Sequence, residues 1–116
     1  MQYMLLIYGN EKSWDAMTPE EIGQVMGQYN TFTEGIIQSG NFKAGEELSP
    51  TNTATTVRVR NGKTQITDGP FAETREQLGG YYLIEAENLD QAIQIAGRIP
   101  SARDGSIEVR PIMVRS

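Results

Sequence analysis

The sequence predicts an α+β fold in which one antiparallel sheet carries two helices on a single face and a second copy of the chain on the other. Three observations lead there. Helical periodicity appears only twice, once near each end, giving the order strand, helix, several strands, helix, strand. The 116-residue length suits one core, so residues 1–116 are expected to form a single domain. The segments around residues 3–8 and 80–86 are apolar on both alternating sets, although two helices cover only one face of a sheet. Packing two such sheets face to face gives a barrel-like homodimer.

The first strand, residues 2 to 8, alternates Tyr3, Leu5 and Ile7 against Met4, Leu6 and Tyr8. A polar stretch from Gly9 to Met17 precedes Thr18-Pro19-Glu20-Glu21, where Thr18 caps, Pro19 takes the first helical position and Glu21 completes a capping box. Ile22, Val25, Met26, Tyr29, Phe32, Ile36 and Ile37 then recur every three or four residues, one stripe of a helix ending near Ser39-Gly40. Gly23 and Gly27 lower helix propensity within it and are read as packing glycines that admit a neighbouring backbone.

Residues 42 to 48 form a short extended segment interrupted by Gly45, followed by a loop through Ser49-Pro50-Thr51-Asn52. Asn61-Gly62 supplies two positive-φ residues for a type I′ turn between strands at 53–60 and 63–67. The alternation of Val57 and Val59 with Arg58 and Arg60 predicts a half-solvated hairpin at a sheet edge. After Asp68-Gly69-Pro70-Phe71 comes a charged connector with helical character, Ala72 to Leu78, and then a strand from Gly79 to Ala86. Asn88 caps a second helix, 89–99, with Leu89, Ala92, Ile93 and Ala96 as its buried face and Pro100 as its stop. A last strand, Ser106 to about Val114, sets Ile107, Val109 and Met113 against Glu108 and Arg110.

Composition removes several function classes. With no Cys and no His, there is no disulfide framework, thiolate metal site, imidazole ligand or Ser-His-Asp triad, and no metal or cofactor is expected. The formal charge of −5 disfavours nucleic-acid binding, which needs a basic stripe. No apolar run reaches membrane-spanning length, so no membrane association is expected. The opening Met1–Tyr8 segment reads as a strand rather than a signal peptide, which predicts a cytoplasmic protein.

The stretch from Thr67-Asp68-Gly69-Pro70-Phe71 through Leu78-Gly79-Gly80-Tyr81-Tyr82 resembles the signature of the DGPF branch of the YCII-related proteins. Tyr3–Tyr8 and Gly105–Ile112 extend the resemblance over essentially the whole chain. It implies a dimeric α+β barrel of ferredoxin-like subunits. It also implies either a small-molecule enzyme or ligand-binding protein, such as a cofactor-independent lyase or isomerase, or a regulatory module associated with an alternative sigma factor. Founding members of the family pair a His with an Asp; this chain offers Asp68 at the matching motif but no His, so a His-dependent mechanism is closed to it.

Asp68 is the candidate general base, at a strand end where it would face the barrel mouth. The structural alternative is an Asx-turn or cap in which its carboxylate accepts backbone N–H groups. Gly69 is expected at positive φ, and Phe71 in the core. Tyr8, Tyr82 and Trp14 offer flat surfaces with polar tips for an aromatic ligand, or, for the two tyrosines, contacts between subunits. Arg110, in the inter-sheet space, would clamp a ligand carboxylate unless Glu108 satisfies it as an ion pair. Glu73, Arg75 and the pairs Glu20-Glu21 and Glu46-Glu47 read as solvated charges.

Overall fold

The protein is described by a computed structural model over residues 1–115. Six strands and three helices run in the order β1 (Gln2–Gly9), α1 (Glu11–Asp15), α2 (Pro19–Gln38), β2 (Phe42–Glu47), β3 (Thr55–Arg60), β4 (Lys63–Asp68), β5 (Gln77–Glu85), α3 (Leu89–Gly97) and β6 (Ser106–Pro111). Strands β2-β5-β1-β6 make one antiparallel sheet in that order. The two strands apolar on both sides, β1 and β5, are its central pair, where both edges are hydrogen-bonded and both faces require cover. The fold is ferredoxin-like.

Register assigns the faces. Tyr3 lies opposite Ile84, Leu5 lies between Tyr82 and Val109, and these side chains meet Phe32 and Ile36 of α2 and Ala92, Ile95 and Ala96 of α3. Leu5, Ile36 and Ile84 are fully buried, so truncating any one to Ala costs about 2–5 kcal/mol. The opposite face carries Met4, Leu6, Tyr8, Leu83, Glu108 and Arg110, and none of the described elements covers it. The Met1 ammonium closes the sheet's end by pairing with the Glu85 carboxylate and donating to the Ala86 carbonyl at 2.9 Å.

Both long helices begin where their caps predict. The Thr18 hydroxyl accepts from the Glu21 N–H at 3.2 Å while the Glu21 carboxylate accepts from the Thr18 N–H at 3.1 Å. The Asn88 side chain accepts from the Gln91 N–H. The burial stripes are narrower than the periodicity implies. Of the α2 stripe only Phe32 and Ile36 are buried, and Ile37 is 53% exposed. In α3, Ile95 takes the inward position, whereas Leu89 and Ile93 point to solvent at 48% and 52% exposure. Gly23 and Gly27 are not packing glycines: both are exposed, and a Cβ on either would meet nothing within 4 Å.

The hairpin turns as expected, with Asn61 at φ 52° and Gly62 at φ 73°. It is not an edge of the main sheet, however: β3 and β4 form a two-stranded sheet of their own. Its exposure is also inverted. Val57, Val59 and Ile66 are 60%, 60% and 69% exposed, while Arg58 is half-buried and reaches back to the Phe71 carbonyl. Phe71 is not a core residue, at 79% exposure. The 72–76 connector is irregular rather than helical, and β6 ends at Pro111, leaving Met113 exposed. A helix that periodicity gave no reason to expect, α1, occupies the polar stretch after β1.

A candidate ligand cavity between the long helix and the sheet

Gly9 ends β1, and Asn10 turns the chain into α1 by accepting from the Lys12 N–H at 3.0 Å. Five residues would not hold as a helix alone, so side-chain bonds from outside fix it. The Glu11 carboxylate accepts from the Thr51 N–H and the Thr51 hydroxyl, both at 2.7 Å, and the Glu11 N–H donates to the Gln77 side-chain oxygen at 3.0 Å. α1 is thereby bound to the loop before β3 and to the start of β5. It stands over the gap between the middle of α2 and the sheet.

Beneath it lies a cavity of about 460 Å³. Ile7, Phe42 and Tyr82 from the sheet, Tyr29 and Thr33 from α2, and Trp14 from α1 supply its apolar walls and hydroxyls. Tyr82 is the buried inner wall. Its ring meets Phe32 edge-on at 5.3 Å and Phe42 at 6.3 Å between centroids. Gly45 makes this placement possible, since a Cβ there would sit 2.7 Å from the Tyr82 ring. The Tyr82 hydroxyl is hydrogen-bonded to Thr33 Oγ1 at 2.6 Å, and the Tyr29 hydroxyl to Ser101 Oγ at 2.5 Å.

Burial raises the pKa of both phenols above the ordinary tyrosine value, against the opposing effect of those hydrogen bonds. Each therefore remains a neutral hydroxyl across the physiological range. Charge gathers elsewhere on the lining: Glu11, Asp15 and Glu47 are acidic, Glu46 touches it from the backbone while its register opposite Tyr81 turns its side chain to the other face, and none of the chain's ten Lys and Arg residues lines the cavity. Among the described residues, no group of three or more carboxylates has the arrangement of a metal site.

Residues 1–115 match the family model of the YCII-related domain. The chain belongs to the YCII-related family. It is also 39% identical over 114 residues to an uncharacterised protein of Rhizobium meliloti (strain 1021), a match spanning 97% of this chain and 92% of that one.

Within this YCII-related chain, the candidate residues read from sequence fall in three places. Tyr82 and Trp14 line the cavity. Tyr8 and Arg110 lie on the opposite face of the sheet, where Arg110 Nε donates to the Glu108 carboxylate at 2.6 Å, the self-satisfied pair. Asp68 is exposed at the end of β4 and lines no part of the cavity; among the described residues its carboxylate makes no hydrogen bond, so neither the Asx-turn nor the cap is formed. The neighbouring Gly69 does adopt positive φ, at 103°, and its N–H donates to the Ala54 carbonyl.

Sequence reasoning missed Glu11, Tyr29, Thr33, Phe42, Glu47 and Ser101 as site residues. Two signals were present: Asn10 is a helix-cap residue type, and Trp14 is a large aromatic alone in a polar stretch. Both indicate an ordered segment packed on something. Nothing local indicates that the partner is the loop at Thr51.

Proposed function

We propose that this YCII-related protein binds a small aromatic molecule in the cavity between α2 and the sheet. One observation carries the reading: a 460 Å³ space walled by Trp14, Tyr29, Phe42 and Tyr82, within the range of about 300–1,000 Å³ typical of ligand pockets. The lining follows the usual division of labour in such pockets, with rings supplying contact area and a few hydroxyls and carboxylates setting orientation. The phenols of Tyr29 and Tyr82 stay protonated, so proton transfer of the lyase or isomerase kind would fall to the carboxylates at the rim.

Trp14 is the chain's single tryptophan and lies in the lining, so its emission reports occupancy directly. Titrating the protein with 2-phenylethanol, 2-phenylethylamine and 3-phenylpropionate should give a saturable change in Trp14 emission with at least one of the three. Emission that stays flat, or changes linearly without saturation, for all three overturns the binding reading.

The uncovered face of the sheet supports a second part of the proposal, that a further copy of this chain packs there. Met4, Leu6, Tyr8 and Leu83 are only half-buried on that face, and the apolar side of the separate β3–β4 hairpin, Val57, Val59 and Ile66, is exposed as well. The ligand cavity lies on the helix side, so pairing through the opposite face leaves it accessible.

A further inference from the structure

The cavity's chemistry is more specific than its shape. Trp14, Tyr29 and Tyr82 contribute aromatic rings to the lining, and Glu11, Asp15 and Glu47 contribute acidic side chains with no Lys or Arg beside them. The Glu11 oxygens are engaged by Thr51, which holds that carboxylate in place. Asp15 and Glu47 make no hydrogen bond through their carboxylates and no ion pair among the described residues, and both are exposed, so they stand at the mouth rather than inside. An anion entering this space would meet only like charge. A neutral ring would gain the aromatic contacts and leave the carboxylates solvated.

We propose that the ligand is a cationic aromatic amine, its ring seated against Trp14, Tyr29 and Tyr82 and its ammonium facing the carboxylates of Asp15 and Glu47. This rests on the binding function proposed above and names the chemical class of its ligand. Two attractions act on the same group: aromatic rings favour a cation over their faces, and the exposed acidic side chains of Asp15 and Glu47 favour it at the mouth. The phenol hydroxyls, neutral and bonded to Ser101 and Thr33, add polar atoms at the inner wall.

The test compares three molecules of nearly equal size, 2-phenylethylamine (cationic), 2-phenylethanol (neutral) and 3-phenylpropionate (anionic), by Trp14 emission in the full chain. The amine should bind about tenfold or more tightly than the alcohol, the acid most weakly, and the preference should shrink as salt is added. In the Asp15→Asn/Glu47→Gln double variant, both exposed sites that the fold does not depend on, amine and alcohol should come within about threefold of each other. Equal or tighter binding of the alcohol or the acid by the unaltered protein overturns the cationic assignment while leaving a ligand cavity in place. An amine preference that survives in the double variant overturns the assignment to Asp15 and Glu47. Absence of saturable binding by all three removes the cavity reading itself.

Discussion

Tyr82 is the residue on which core and cavity meet. Its ring packs between Phe32 and Phe42, and its hydroxyl reaches Thr33 on α2. Replacing it with Phe keeps the ring and removes the bond, so Tyr82→Phe should lower stability by about 1 kcal/mol in urea unfolding. The two phenols also set a pH dependence. Their folded pKa values lie above the ordinary 10.0, so both states are protonated below that pH and the contribution is fully present. As pH rises past 10.0 the unfolded chain ionises first, and stability falls progressively until the raised folded values are passed. The unfolding midpoint should therefore decline on the alkaline side, and a Tyr29→Phe/Tyr82→Phe variant should decline less steeply. At this scale the sequence was partly informative. Trp14 and Tyr82 are large aromatics in positions that invite a site reading, but Glu11 and Glu47 resemble any solvated carboxylate. Which exposed acids a fold gathers around one space depends on long-range register, and residue type alone does not carry that.

At the scale of elements, local chemistry was read most reliably where it is self-contained. The capping box of α2 needs only Thr18 and Glu21, three residues apart, and both of its hydrogen bonds form. Thr18→Ala should cost about 1 kcal/mol, measured by urea or thermal unfolding, with the cavity unchanged. The Asn61-Gly62 turn is legible for the same reason. Burial stripes were less so. Leu89 and Ile93 share a helical face with Ala92 and Ala96 in the sequence pattern, yet Ile95 is the residue that reaches the sheet, because the docking angle of a three-turn helix decides which edge of an apolar face is covered. The hairpin shows the limit most clearly. Strand alternation identifies its two sides, but Val57, Val59 and Ile66 on the apolar side face outward, and only contacts beyond the protomer decide whether that side is covered.

The whole molecule is broad and thin, with extents of 48 × 48 × 19 Å and a radius of gyration of 16.2 Å, against about 13 Å for a compact domain of this length. Its accessible surface is 8359 Å², where a folded monomer of 12.9 kDa exposes about 6,300 Å². The excess, roughly 2,000 Å² per chain, is as large as the total area buried in many stable protein complexes. This matches the sheet that the sequence showed to be apolar on both sides. Sedimentation of the purified protein should accordingly give a dimer, and Leu6→Glu, which places a charge at the centre of the uncovered face opposite Glu108, should shift it toward monomer. A monomer before substitution contradicts the proposed pairing through that face.

The most direct measurement is a calorimetric titration of 2-phenylethylamine into the unaltered protein and into Asn30→Phe. Asn30 is an exposed residue of α2 that lines the cavity, so a ring there fills the space without disturbing the core. Saturable heat with the unaltered protein, lost in Asn30→Phe, is the expected result. Equal heat with both proteins would place the binding elsewhere, and no heat with either would contradict a ligand function for the cavity.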